Sequence, residues 1–540
     1  MPELDWEALA QQARSGDLGA VEAALGVKLT KKALADLEQC FEDVWERDLS
    51  VASVLALVSR ALQHPAGLAW ERYDRRGSVL QLLAVRWKDK EKERVTVGID
   101  ANYSGKSLGG VWPLLARWKP KLEANGELAR AWARDAKQKS RVVLELTRAP
   151  APPKRAPDAD EAALRAAIVA NPADDAPRLV YADWLLEHGD VRGEFIRLQI
   201  EHARDPRDAK REKRLAALLD ASLESLVGEP AAHTHRNFVT RGFATRVSLT
   251  PAAFLRDGER LFSSWPLEEL QVDAPKFTAK QLEQLAQAPA MDRVRHLIVS
   301  QRRPRDPRSP LAALARGKRF ASLRTLELGC CGESAKDWRE LISNLEAPNL
   351  EVLDLHYGVI HPELYRALGE ARHLPRLREY REYFFDTPGK VTAVEWKAGL
   401  AALAAREGLE ALTLSQCEHL NDAALSVLFA KKAKARWKRL HLVNPEASDA
   451  LLKALLAWPG VDQLEALQIN NGHFTLAGVL PLLKLPRLHT LAFTGGAWSD
   501  ADVAALLRAM EALPKKHPLR RINLPGAGLE KHRRFELTTD

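Results

Sequence analysis

The sequence predicts an α/β solenoid, a parallel inner sheet backed by outer helices, preceded by a small helical module and an N-terminal α+β domain. Three observations carry this prediction. A Leu-x-x-Leu-x-Leu pattern recurs from residue 267 to residue 519 at steps of 24 to 32 residues. A helical segment with explicit start and stop residues occupies 161–235. A run rich in proline, alanine and charge, Ala149 to Asp160, separates both from the first 148 residues.

Composition sets the outer limits. At 540 residues and 46% hydrophobic content the chain has apolar material for several cores. No stretch reaches the roughly 18 uninterrupted apolar residues of a membrane helix. Met1 to Trp6 is acidic rather than basic-then-apolar, so a cytoplasmic protein without a transmembrane segment is expected. Cys40, Cys330, Cys331 and Cys417 are too few and too irregularly spaced for a disulfide framework or a zinc site. Reduced thiols are the economical reading, and no cofactor or metal is expected. The net charge of +8 is small beside 80 basic and 72 acidic residues and does not by itself argue for nucleic acid.

The first 148 residues change period partway. Between Leu4 and Leu62, apolar residues such as Leu34, Leu37, Phe41, Val44 and Trp45 return at steps of three and four, which predicts helix. Val79 to Trp87 and Arg94 to Ile99 are apolar, β-branched runs joined by the charged turn Lys88 to Glu93, which predicts a hairpin. A helical stretch broken by Pro113 and Pro120 then leads to a last strand, Arg141 to Thr147. The result is a small α+β domain of unknown role. It holds one phosphate-binding candidate, Gly105-Lys106-Ser107. A loop of the form Gly-x-x-x-x-Gly-Lys-[Ser/Thr] needs its first glycine to aim backbone N–H groups at the phosphates, and that position is Asp100 here. Asn102 to Gly105 is therefore expected to turn the chain rather than cradle a nucleotide.

Ala149 to Asp160 reads as an extended linker. Beyond it, NPADDAPRLVYADWLLEHGDVRGEFIRLQIE, Asn171 to Glu201, reads as two helices. Asp174 or Asp175 caps the first before Pro177, Gly189 closes it after His188, and Gly193-Glu194 begins the second. Leu179, Val180, Ala182, Trp184 and Leu185 are expected to share a core with Phe195, Ile196, Leu198 and the segment Ala163 to Val169. Caps and ion pairs between helices explain Asp174, Asp175, Asp183, Asp190 and Glu194 more simply than a metal does. These residues resemble the bacterial repeat-companion domain. Its Asn-Pro-x-Asp-Asp-x-Pro-Arg-Leu-Val-Tyr-Ala-Asp-Trp-Leu run and following Gly-Asp-x-Arg-Gly-Glu-Phe-Ile match nearly throughout. The resemblance covers a short part of the chain and implies a module that accompanies repeat arrays, with no catalytic role assigned to it.

Such repeats are present. LEELQV at 267, VRHLIV at 294, LRTLEL at 323, LEVLDL at 350, LEALTL at 409, WKRLHL at 437, LEALQI at 464, LHTLAF at 488 and LRRINL at 519 share one pattern, with a degenerate copy, LREYRE, at 377. Strands with apolar residues at positions 1, 4 and 6 stack into a parallel sheet, and amphipathic runs such as Asp422 to Phe429, Asp449 to Trp458 and Asp500 to Met510 form helices outside it. Phe277, Ile360, Phe474, Trp498 and Leu529 fall at position 11. Cys331 and Cys417 fall at position 9 and read as packed thiols. The pattern resembles the leucine-rich-repeat family, in its helix-bearing, ribonuclease-inhibitor-like branch, over about half of the chain. That resemblance implies a horseshoe that recognises a macromolecule, usually protein, on its concave sheet. Phe238 to Leu249 and the following PAAFLRDGERLF look like an atypical first repeat, so the horseshoe spans 236–540 and the helical module with its connection 161–235.

Function is expected where the repeats differ. Strand side chains alternate, so positions 3, 5, 7 and 8 project from the inner face. There the frame places Asp354, His356 and Tyr357, then Arg381, Tyr383 and Phe384 of the irregular repeat, then Thr413, Gln416 and His441. The aromatic centre is the candidate protein-binding hot spot. Five acids, Glu269, Asp273, Glu327, Asp354 and Glu379, face two arginines, Arg381 and Arg439, which is unsuited to phosphate. Glu382 falls at a core position of this frame, where a carboxylate conflicts with burial. Arg302, Arg303, Arg305, Arg308, Arg316, Lys318, Arg319, the run Lys431 to Lys438 and Lys515-Lys516 lie in loops or before strands. They read first as solubilising charges near helix C-termini and second as a basic rim for nucleic acid or anionic membrane. His233-Thr234-His235 lacks a third ligand at recognisable spacing, and no nucleophile signature is present. The expectation is a non-enzymatic scaffold or adaptor that binds a protein partner on the concave face. The alternatives are an effector or sensor whose N-terminal domain binds a nucleotide or does chemistry, and binding through the basic rim.

Overall fold

The computed structural model describes the backbone of strands between residues 41 and 148. It also describes 159–523 and 536–538, apart from 222–225, 235, 275–276, 302–309, 330–333, 387–390, 416–419, 495–497 and 515. The chain divides into two compact units, Met1–Ala274 and Pro275–Asp540.

The first unit opens with a sheet of β1 (Phe41–Val44), β2 (Leu68–Arg75), β3 (Ser78–Lys88), β4 (Glu93–Tyr103), β5 (Leu128–Arg134) and β6 (Arg141–Arg148), in the order β1-β2-β3-β4-β6-β5. The expected hairpin is β3–β4, with Val85 opposite Thr96. Phe41–Val44 departs from the helical expectation for Leu4 to Leu62: it is a strand, held parallel to Trp70–Tyr73. Four residues with Phe and Val at the ends fit either period, and pairing with an available sheet edge decides the conformation. Asp100 lies within β4, opposite Gln81. The strand runs on to Tyr103 and pairs antiparallel on both sides, so the strand-to-loop transition of a phosphate loop does not occur at Asp100. Gly105-Lys106-Ser107, all four cysteines and residues 149–158 of the predicted linker 149–160 lie outside the described residues, while Ala159 and Asp160, expected in that linker, begin a helix.

The helical module follows as α1 (Ala159–Ala170), α2 (Ala176–Glu187), α3 (Val191–Arg204) and α4 (Ala209–Ala221). Asp175 occupies the N-cap of α2, while the Asp174 carboxylate accepts the Ala176 N–H at 2.9 Å. Gly189 closes α2 with φ 71°, a left-handed conformation that costs glycine little. Asp190 caps α3 by accepting the Arg192 N–H at 2.9 Å. At Gly193 a Cβ would overlap the Ala182 carbonyl oxygen, so this glycine lets α2 and α3 touch. Ile168, Tyr181, Ala182, Leu185, Phe195, Ile196 and Ile200 form the core. Val180, expected inside, is exposed: Arg178, Tyr181 and Leu185 take the buried stripe of α2.

The atypical first repeat is a short hairpin, β7 (Val239–Thr240) with β8 (Phe243–Ala244), then β9 (Arg246–Leu249) and α5 (Pro251–Ser264); β10 (Glu269–Ala274), the strand of the copy at 267, follows and lies parallel to β9.

The second unit repeats strand and helix. Its strands are β11 (His296–Gln301), β12 (Thr325–Gly329), β13 (Val352–Val359), β14 (Glu379–Asp386), β15 (Ala411–Leu414), β16 (Arg439–Val443), β17 (Ala466–Asn470), β18 (Thr490–Thr494), β19 (Arg521–Asn523) and β20 (Glu536–Thr538). Each pairs parallel with the next. The helices are α6 (Ala279–Gln287), α7 (Ala335–Asn344), α8 (Pro362–Glu370), α9 (Ala393–Ala404), α10 (Asp422–Leu425), α11 (Asp449–Leu456), α12 (Leu476–Val479) and α13 (Asp500–Glu511). Capping boxes at Thr278, Ser334, Thr392 and Ser499 start four of them. The leucine frame of the sequence is the frame of the core. Leu326 and Leu328, Leu353 and Leu355, Leu440 and Leu442, and Leu467 and Ile469 are buried opposite one another. The degenerate copy keeps this register, with Tyr380 opposite Leu353 and Glu382 opposite Leu355, both buried. The unit is thus an α/β solenoid on its own geometry.

Candidate functional site

The strand register lines up one polar row along the sheet: Glu327, Asp354, Arg381, Thr413, His441 and Gln468, each opposite the next. Two residues further along β13 and β14, His356 lies opposite Tyr383. Six of the residues singled out from sequence therefore share four adjacent strands: Asp354, His356, Arg381, Tyr383, Thr413 and His441. Tyr357 and Phe384 belong to β13 and β14 by backbone, but their side chains lie outside the described residues, as does Gln416 altogether.

Asp354 is the buried anchor of the patch. Its Oδ1 lies 2.9 Å from His356 Nε2 and its Oδ2 accepts from Arg381 Nη1 at 3.3 Å. Arg381 Nε donates to Glu379 Oε1 at 2.7 Å, and Glu379 Oε2 accepts from Arg439 Nη2 at 2.8 Å. The chain of charges continues the other way, with Glu327 Oε1 3.8 Å from His356 and Glu327 Oε2 3.6 Å from His296. His356 stacks on Tyr383 with ring centroids 5.0 Å apart and a 19° interplanar angle. Partial burial pushes the His356 pKa down, but the bond to Asp354 and the charges of Asp354 and Glu327 outweigh it, leaving the imidazole above its usual value. His441 moves the other way, lowered by burial alone. Burial, then the Asp354 charge, raises the Tyr383 phenol, against its hydrogen bond with Thr413. His441 Nε2 lies 3.4 Å from Asn470 Nδ2, and Asn471 Nδ2 donates to Asn444 Oδ1 at 2.5 Å.

Glu382, the residue in conflict with the sequence frame, is a satisfied core carboxyl. It accepts from Tyr380 at 2.6 Å and from Tyr365 at 3.0 Å, with Trp396 packed 5.8 Å from the Tyr365 ring. Burial pushes its pKa up to about 8, the two hydroxyls pulling it back in part.

Glu379, Arg439, Glu327 and His296 complete the patch. The signal for His296 was in the sequence, since it stands at position 3 of VRHLIV. Five basic residues before the strands are paired with acids about one repeat away: Arg319 with Asp292 at 2.5 Å, Arg378 with Glu351 at 2.5 Å, Lys434 with Glu407 at 2.7 Å, Lys438 with Glu410 at 2.9 Å, and Lys318 with Glu346. Arg302, Arg303, Arg305, Arg308 and Lys515 lie outside the described residues. In the helical module, Asp175 lies 3.4 Å from Arg204, Asp183 pairs with Arg197, and Glu194 takes Arg214 through both oxygens at 2.7 Å. No group of three His, Cys, Asp or Glu suited to a metal occurs among the described residues, and no helix there is long and apolar enough to cross a membrane.

No family model matches the chain, and no curated protein matches it. Among solved structures, a protein from Bacteroides fragilis shares 14% identity over 56% of this chain and 81% of its own, with a TM-score of 0.30. The structure of a TLR13–ssRNA13 complex shares 16% identity over 52% of this chain, with a TM-score of 0.32, and the match spans only 39% of that protein. These scores are too low to add to the geometry above.

Proposed function

We propose that the protein is a non-enzymatic scaffold that binds a protein partner through the inner face of the second unit, centred on Asp354, His356, Arg381 and Tyr383. The observation that carries this reading is the registered patch itself. A buried carboxylate fixes an arginine and a histidine from neighbouring strands, and the histidine orients a tyrosine. Pre-set Arg and Tyr side chains lose little freedom on binding and dominate measured interface energies. The leucine-rich-repeat resemblance, which implies recognition on a concave inner sheet, supports this reading. Tyr357, Phe384 and Gln416 extend the proposed surface by their position in the repeat. Lys318, Arg319, Lys434 and Lys438 of the basic rim are paired with acids about one repeat away, which makes these four less available to neutralise the phosphates of nucleic acid or anionic membrane.

The test is a pull-down with the full chain from the native lysate, followed by calorimetry with the purified captured protein. The double substitution Arg381→Ala/Tyr383→Ala is expected to weaken binding at least 30-fold, about 2 kcal/mol. Binding unchanged by that substitution, or capture of nucleic acid released by salt, contradicts the proposal.

A further inference from the structure

The signature residues of the helical module remain unexplained by a binding face on the second unit, and their contacts give them a task within the first. Arg178 is buried, with no carboxylate at hydrogen-bond distance among the described residues. Its Nη2 donates to the Pro172 carbonyl at 2.7 Å, its Nη1 reaches the Arg241 carbonyl at 3.5 Å, and its guanidinium lies 4.9 Å from the centre of the Phe243 ring. Arg241 answers by donating to the Ala173 carbonyl at 2.9 Å. Gln199 of α3 grips β7 and the turn of the β7–β8 hairpin: its Nε2 donates to the Val239 carbonyl at 3.0 Å and its Oε1 accepts the Gly242 N–H at 2.6 Å.

Shape agrees with hydrogen bonding. Gly242 has φ 87°, and a Cβ there would overlap the Ile196 side chain, so the hairpin turn lies flat on α3. Val239 joins the core formed by Phe195, Leu215, Leu218, Leu226 and Val227. Tyr181 packs 6.1 Å from the Phe243 ring. At the C-terminus of α5, Trp265 sits over Gly228, where a Cβ would come within 2.5 Å of the indole, and Arg165 of α1 covers the same indole at 5.4 Å.

We infer that the helical module is a folding cap for the first repeat, and that its Arg178, Tyr181, Ile196 and Gln199 form a docking surface for the β7–β8 hairpin of the same chain. Several of these bonds go to main-chain carbonyls and one main-chain N–H. What the module requires of a repeat is therefore a glycine turn with an apolar residue on each side, and no particular leucine pattern.

Hydrogen exchange on the full chain tests this, comparing wild type with Gly242→Val, Gln199→Leu and the control Arg197→Met, which removes only the surface pair with Asp183. The cap predicts that Gly242→Val and Gln199→Leu speed exchange in β9 and β10 at least tenfold while α2 keeps its protection and the control changes nothing. If Gly242→Val does not yield folded protein, Gln199→Leu decides alone. Exchange in β9 and β10 unchanged in every folded variant, or lost equally in Arg197→Met, overturns the inference.

Discussion

The strands β11–β14 and β15–β18 belong to one sheet yet are held in different ways. In the later block one interaction is copied from repeat to repeat. Asp422 accepts the Ser448 N–H at 2.9 Å and its hydroxyl at 2.6 Å, and Asp449 does the same for Thr475, at 2.9 Å and 2.5 Å. Asn444 and Asn471 repeat a left-handed turn, at φ 56° and 62°, one step apart. The earlier block carries core sites of its own. Glu382, Tyr365 and Tyr380 share a core site, and Arg406 lies buried, donating to the carbonyls of Leu368 and Ala371 at 2.8 and 2.6 Å and to that of Leu374. Burial lowers the Arg406 pKa to about 10. A repeated clamp gives stacking; a unique one gives a place where the repeats differ, and the polar patch lies there.

The largest expected effect cuts into the regular block. Trp437 is fully buried and donates to the Leu428 carbonyl at 3.0 Å. Trp437→Ala should cost about 3–5 kcal/mol in chemical unfolding. Next is the polar core of the irregular block. Glu382→Leu strands two buried hydroxyls at about 1–3 kcal/mol each. Adding Tyr365→Phe and Tyr380→Phe should recover most of that loss; no recovery would mean that packing, and not the hydrogen bonds, holds the site.

The same carboxyl makes the irregular block pH-sensitive. Its folded pKa, about 8, lies above the ordinary carboxylate value. Its contribution to stability is therefore full below the unfolded value and is lost as the pH rises through about 8. Thermal unfolding between pH 5 and 9 should show a smaller alkaline loss in Glu382→Gln than in wild type. Smaller still is the clamp of the regular block: Asp449→Ala should cost about 1 kcal/mol, read as a shift in the unfolding midpoint. The smallest is at the rim, where Lys438→Ala should change stability by less than about 1 kcal/mol, because that pair is partly solvated.

The repeat frame was legible because one leucine face, copied at positions 1, 4 and 6, fixes register. The helices at Asp449–Leu456 and Asp500–Glu511 were legible from the amphipathic runs between the leucine strands, while their serine caps were not singled out. Strands β2 and β5 and the Phe41–Val44 strand were missed, since short runs with mixed charge fit more than one period. The site was legible as a row of positions but not as a network. Position 5 of each repeat gives Asp354 next to Arg381, yet that Glu379 bridges Arg381 to Arg439, 60 residues on, depends on side-chain direction in space. The acid partners of the rim lysines stand one repeat away and could have been found by comparing charges at that offset.

Site-specific photocrosslinking in the native cell tests the binding face most directly. A benzophenone side chain is placed at His441 on the inner face or, as a control, at Arg339 on helix α7. The account predicts a covalent adduct with one protein from the His441 position, lost with Arg381→Ala/Tyr383→Ala, and none from Arg339. Adducts from Arg339 alone, or with nucleic acid from either position, would contradict it.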